Sequence, residues 1–160
     1  MDEIKAKYGK LPSPIIIRLN ALADDGYRAS KAIDNTVDRF LDALVQLQLN
    51  VTAGAPAGSK NCLIYAYGSA QGGAPFSGGA TGMDAAYGGN PGQLITNCPL
   101  LGIVKLDAAS EVFTSDVFSV ASAFGGVLPE DWGIIVMNQA GQVLASADNK
   151  AWYHGVKVEG

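Results

Sequence analysis

Within residues 44–52 apolar and polar residues alternate from Val45 onward, with Val45, Leu47, Leu49 and Val51 on one side and Gln46, Gln48 and Asn50 on the other. A period of two is the repeat of a β-strand with one buried face, so this segment predicts a half-buried strand. The same alternation returns over 151–158, where Trp152, His154, Val156 and Val158 oppose Tyr153, Gly155 and Lys157. Residues 61–67 (Asn-Cys-Leu-Ile-Tyr-Ala-Tyr) are apolar on both faces. Such a strand is either central and covered on each side or lies at an oligomer contact. Residues 100–106 read as another buried-type strand, and 111–121 continue in β-rich composition. Residues 15–19, opened by Ile15-Ile16-Ile17, pair in prospect with 27–33 as a hairpin across the turn Asp24-Asp25-Gly26. Residues 117–147 hold three apolar runs separated by a Gly-Gly/Pro loop and by Asn138-Gln139-Ala140-Gly141, which predicts an antiparallel meander whose last two strands form a hairpin. The one helical expectation is a turn or two over 38–42, capped by Asp34-Asn35-Thr36.

Eight or nine short strands with no fixed-period repeat must bury their apolar faces against each other. The expected fold is all-β, a two-sheet antiparallel sandwich of jelly-roll or Greek-key type. Residues 1–14 are expected to be a flexible N-terminal arm, frayed or ordered on a neighbouring subunit, because their charged and small polar residues bury little surface. Residues 15–160 form the sandwich domain. Within it, 68–92 is a long loop of Gly, Ala and Ser carrying isolated Phe76, Met83 and Tyr87, and loops of this length tend to be functional or to pack on a partner.

Composition narrows the functional classes. The chain has 160 residues, 48% of them hydrophobic, enough for one substantial core without metal or disulfide. Its net charge of -4 argues against a direct nucleic-acid partner, which requires a concentrated positive face. No apolar run approaches the roughly 20 residues that cross a bilayer, and the first ten residues carry no signal-peptide core, so a soluble protein made in the cytosol is expected. Cys62 and Cys98 lie in apolar segments and read as free buried thiols. Two thiols and one imidazole are too few for a zinc site. The sequon Asn50-Val51-Thr52 reads as coincidental.

Candidate chemistry is sparse. His154 is the only histidine, no Gly-x-Ser-x-Gly elbow is present, and a packing or hydrogen-bonding role is the expectation for it. Glu130-Asp131 beside Trp132 evokes a glycosidase pair, but adjacent carboxylates do not face each other across a cleft. That segment reads as a solvated turn anchored by its Trp. Asp24-Asp25 and Asp38/Asp42 lack the alternating oxygen ligands of a calcium loop and read as solvated. Gly78-Gly79-Ala80-Thr81-Gly82 lacks the Lys-Ser/Thr of a phosphate loop. A noncatalytic protein without cofactor or metal, working by shape and contact, is the expectation.

Four phrases carry a resemblance: Ala32-Ile33-Asp34-Asn35-Thr36; Arg39-Phe40-Leu41-Asp42-Ala43-Leu44-Val45-Gln46-Leu47; Tyr65-Ala66-Tyr67-Gly68-Ser69-Ala70; and Phe118-Ser119-Val120 with Val127-Leu128-Pro129-Glu130-Asp131-Trp132-Gly133-Ile134. Over about residues 15–158 the chain resembles small virion proteins of tailed bacteriophages, in particular jelly-roll capsid decoration (cement) proteins. The resemblance implies a structural protein on the outer capsid surface that bridges subunits of the major capsid protein, often as a trimer. Contacts are then expected from Lys5, Lys7 and Lys10 of the arm, meeting an acidic shell, and from Phe76, Met83 and Tyr87 of the glycine-rich loop. The alternative class is a receptor- or carbohydrate-binding module of a tail fibre or lectin-like protein, whose candidate aromatics are Phe76, Tyr87, Trp132 and Trp152. A sandwich-fold hydrolase would need His154 in a pocket beside a nucleophile.

Overall fold

The computed structural model describes residues 5–52 and 54–159; the first four residues of the expected arm lie outside the described residues. The fold is an all-β sandwich of two antiparallel sheets. Sheet I is built on β5 (Asp42–Asn50) and β12 (Lys150–Glu159). β1 (Lys5–Tyr8) and β2 (Ser13–Ile15) follow one another along the outer edge of β12, while β9 (Val112–Thr114) and β10 (Phe118–Ser119) do the same along β5. Sheet II is built on β6 (Asn61–Ser69) and β11 (Asp131–Gln139), flanked by β8 (Leu100–Lys105) beyond β6 and by β3 (Tyr27–Ala29) and β4 (Ile33–Asp34) beyond β11. The short β7 (Ala85–Ala86) adds to β3. Among the described residues there are also two short α-helices, α1 (Pro91–Asn97) and α2 (Val120–Ala123), and a single 3-10 turn at Ser77–Gly79.

The alternating segments behave as their pattern dictates. Along β5 Val45, Leu47 and Leu49 are fully buried while Gln46 and Gln48 face outward, and Val51 continues the buried row. These side chains meet Cys62, Ile64 and Ala66 of β6 and Ile134 and Val136 of β11 across the space between the sheets. Trp132, 1% exposed, stands edge-on to Tyr153 with ring centroids 5.2 Å apart, joining the sheets by an aromatic pair. Each large side chain so buried contributes on the order of 1.5–3 kcal/mol before chain entropy is subtracted.

Several expected connections are different. The stretch 117–147 is not a meander: β10 belongs to sheet I and β11 to sheet II, and the run after β11 meets Val51, at the end of β5, through Leu144. The expected hairpin therefore opens into a crossing between sheets. Its cause is Asn138, fully buried, whose Nδ2 donates to the carbonyls of Leu22, Ala23 and Gln142 and whose Oδ1 accepts from Ala140 N–H. Gly141 continues the turn at φ +69°, in the left-handed region, where an added Cβ would lie 2.6 Å from the carbonyl oxygen of Ala57. The predicted hairpin of 15–33 also fails, because β2 pairs in sheet I and β3 in sheet II. No helix forms at 38–42. There Asp34 Oδ1 accepts from both the N–H and the hydroxyl of Thr36, and the Asn35 side chain exchanges hydrogen bonds with the Phe40 main chain. The polar residues close a loop on themselves instead of starting a helix.

Residues 5–14, expected to be a free arm, run along β12: Lys5 pairs with Glu159, Tyr8 with Val156 and Ser13 with Tyr153. All four residues of β1 are exposed, so main-chain hydrogen bonding, which needs no apolar side chains, accounts for the docking. Strand β8, expected to be buried, is an edge strand of which only Val104 is buried.

Candidate interaction surfaces

The two outer faces of the sandwich are finished differently. On sheet II the side chains pointing away from the core include Tyr65, Tyr67 and Ile135, all buried, and the chain itself covers them. The cover is the glycine-rich segment and the helix that follows it. Phe76 stands edge-on to Tyr67 at 5.5 Å, and Tyr87 packs against Tyr27 at 6.2 Å while its hydroxyl donates to the Gly78 carbonyl. Leu94 of α1 is buried beneath. Asn90 caps that helix by accepting from Gly92 N–H, with Pro91 in its first turn, an arrangement the low-complexity reading passed over.

Polar bonds fix the cover in place. Arg28 Nε lies 2.7 Å from Asp84 Oδ1, its Nη2 donates to the Asp84 carbonyl, and Arg18 N–H donates to the same carboxylate. Burial disfavours the charge on Asp84, but the Arg28 and Arg18 bonds outweigh it and hold the carboxyl below the usual 3.8. Ser77 Oγ accepts from Gly68 N–H, and Asp131 accepts from Gly73 N–H. Asp131 is thus an anchor for the glycine-rich segment, and Trp132 is a core residue with no stacking surface to offer a ligand.

The cover stops short of one margin of sheet II. Met137, Leu63 and Ile103 form a cross-strand row over β11, β6 and β8, and Ile103 at its end is 52% exposed. Beside it Leu100 (50%) and Ile95 of α1 (70%) border an open cavity of about 590 Å³ that also touches Tyr65, Cys98 and Phe124. Exposed aliphatic side chains around a concavity are a contact surface. Sequence reading missed them because residues 100–106 read as uniformly buried; Lys105 within the run is the signal of an edge.

Among the described residues no segment covers the outer face of sheet I as the glycine-rich segment covers that of sheet II. Its registers place Pro14, Trp152 and Gln46 side by side across β2, β12 and β5, with Lys150 beside Gln48 above them and His154 beside Leu44 below. Trp152 lines two adjoining open depressions of about 370 and 240 Å³. His154 Nε2 lies 2.6 Å from the Gly9 carbonyl oxygen; since a carbonyl only accepts, Nε2 carries the proton and Nδ1 of the neutral ring is left as an acceptor. The ring also contacts Tyr8, with centroids 5.5 Å apart.

The remaining sequence candidates are dispersed. Lys5, Lys7 and Lys10 are exposed, the first two on β1 and the third in the loop that follows. Met83 is 61% exposed at the outer surface of the cover, whereas Phe76 and Tyr87, expected to reach a partner, spend their rings on the chain's own sheet. Asp42, expected to be solvated, accepts from Ser119 hydroxyl and Ala121 N–H and holds α2 against β5. Asp24 accepts from Gly141 N–H. Cys62 and Cys98 are free and buried, one in the inter-sheet core and the other beneath the cover. Among the described residues no group of three or more His, Cys, Asp or Glu side chains is placed to hold a metal ion, and no helix is long and apolar enough to cross a membrane. Comparison with protein-family models, with curated proteins and with solved structures found no match.

Proposed function

We propose that this chain is a noncatalytic virion protein that decorates a bacteriophage capsid, binding major capsid subunits through the uncovered margin of sheet II. The observation that carries the reading is the exposed aliphatic set of Ile95 and Leu100, which line the cavity, and Ile103, farther along β8, on a face whose other apolar side chains the chain covers for itself. A stable contact has an apolar centre with a polar rim, and this patch, rimmed by the polar segment of the cover and by Lys105, has that layout. The resemblance to jelly-roll decoration proteins supplies the partner and the trimeric state. Residues 5–14 are part of sheet I, so their lysines act in this reading as an exposed edge beside the sandwich.

The test is copy number on particles. Quantitative mass spectrometry of purified virions should find the protein in near-stoichiometric ratio to the major capsid protein. The double variant Leu100→Asp/Ile103→Asp should lose most of that occupancy while keeping its denaturation midpoint. A few copies per particle, or full occupancy by the double variant, overturns the proposal. Truncation of residues 1–14 is a poorer test, because removing β1 and part of β2 also weakens sheet I.

A further inference from the structure

We infer that the outer face of sheet I is a saccharide-binding site centred on Trp152, whose ligand is a neutral, hydroxyl-rich oligosaccharide. This inference is independent of where the protein assembles, since it uses the opposite face of the sandwich from the proposed capsid contact.

Three features of the face converge on that chemistry. First, Trp152 is half-buried between two open depressions and sits in register between Pro14 and Gln46. An indole held this way offers an apolar face with fixed orientation, suited to the C–H face of a sugar ring. Second, the neighbouring polar groups are neutral and pre-oriented. Gln46 Nε2 donates to the Ser115 carbonyl at 3.0 Å and Gln48 Nε2 to the Asp148 carbonyl at 3.3 Å, which fixes each amide plane and the direction of its carbonyl oxygen. His154, with Nε2 on Gly9, lines the smaller depression, and in the neutral ring Nδ1 is its acceptor. Successive rows along β12 are about 7 Å apart, so acceptors lie on both sides of the indole along the strand. Hydroxyl groups satisfy such acceptors without bringing charge.

Third, the charge pattern excludes nucleic acid and other polyanions. Beyond the imidazole, Lys150 is the one formally charged side chain among residues lining the two depressions, in a chain of net charge -4. Nucleic acid or another polyanion would need a basic cluster there.

The experiment uses the protein's own reporter. The chain has two tryptophans, and Trp132 is buried in the core, so a ligand-induced change in emission reports Trp152. The intact chain is screened on a glycan array, then titrated with cellohexaose, maltohexaose, the N-acetylglucosamine hexamer and any array ligand, by fluorescence and calorimetry. At least one should bind, with Trp152→Phe abolishing the emission change. Trp152→Ala should weaken affinity at least about tenfold, as expected when the central aromatic of a site is removed. Gln46→Ala/Gln48→Ala should weaken it several-fold, and Leu100→Asp/Ile103→Asp should leave it unchanged. Absence of binding to every glycan at millimolar concentration overturns the inference, as does wild-type affinity in Trp152→Ala. Concentration-dependent self-association that Trp152→Ala abolishes would assign the face to a second copy instead and overturn it equally.

Discussion

Replacing Asn138 should destabilise the sandwich, because its buried side chain bonds to four main-chain groups of two segments. Its amide nitrogen has two hydrogens directed at three carbonyl oxygens, those of Leu22, Ala23 and Gln142 at 3.1, 3.1 and 2.8 Å, so one hydrogen is shared. Its carbonyl oxygen takes Ala140 N–H at 3.0 Å. In Asn138→Ala the Ala140 N–H and the Gln142 carbonyl lose their partner, whereas the Leu22 and Ala23 carbonyls keep Leu144 N–H and Gly26 N–H. At roughly 1 kcal/mol for each of these two orphaned groups, the lower end of the range for buried unsatisfied polar atoms, the loss is about 2 kcal/mol. For a chain of this length it corresponds to a fall of about 4–8 °C in Tm. Urea denaturation should show the lower midpoint with an unchanged slope. Asn138→Asp separates hydrogen bonding from shape, because it keeps the outline of the side chain and turns the donor into an acceptor. A carboxyl buried among carbonyls has its pKa raised above the ordinary value of about 3.9. The deficit of that variant relative to wild type should therefore be largest above the raised folded-state value and shrink as pH falls toward the unfolded one. A loss below about 1 kcal/mol in Asn138→Ala, or a pH-independent deficit in Asn138→Asp, would refute the assignment of Asn138 as the knot that turns the chain between sheets.

Gly133→Ala would place a Cβ 2.4 Å from Cζ of Tyr67, a ring held by its hydroxyl bond to the Ser30 carbonyl and by Phe76, and should destabilise by about 1–3 kcal/mol. Gly88→Ala, with nothing within 4 Å, should be close to neutral in the same chemical denaturation series. Burial pushes the Cys62 thiol up to about 12 and raises that of Cys98 as well, so a disulfide reagent at pH 8 should label neither until the protein unfolds. Rapid labelling of Cys62 in the native state would contradict its place in the core. Because the Asp84 carboxyl is held below 3.8, its bonds to Arg28 and Arg18 contribute stability that is complete above that pH and is lost as pH falls through the lowered folded-state value. Amide exchange near pH 3 should accordingly rise over residues 76–99 before it rises in β5 or β6, and simultaneous loss of protection would argue against a separately fastened cover.

The amino-acid pattern displayed strands better than it displayed their partners. The alternations of 44–52 and 151–158 became β5 and β12 because the period of a strand determines which side chains are buried together. The same period says nothing about which sheet a strand joins, and there the meander of 117–147 and the hairpin of 15–33 went wrong. Both errors arise at turns whose direction is fixed by bonds to distant segments, Asn138 to Leu22 and Ala23 above all. The double-sided apolarity of 61–67 did mark a strand covered on both faces, but the second cover is intramolecular. Phe76 and Tyr87 looked like contacts for a partner because isolated aromatics in a glycine-rich run carry no sign of whose surface they meet. Trp152 was legible as a candidate aromatic, whereas the anchored amides beside it depend on Ser115 and Asp148, far away in the chain.

The pairing of β1 with β12 has a mechanical consequence. Lys5 and Glu159 are neighbours at one corner of sheet I, on antiparallel strands. A pull that separates those two residues loads the Lys5–Glu159 pair first, then Ala6–Val158, then Lys7–Lys157, one rung at a time, as a zipper opens. A pull along the strands applied through residues in the body of sheet II would instead strain the nine paired positions of β6 and β11 together. The sandwich is therefore compliant at the Lys5–Glu159 corner and stiff along β6 and β11. Force carried through the proposed contact on β8 would reach the stiff direction directly, because β8 hydrogen-bonds to β6.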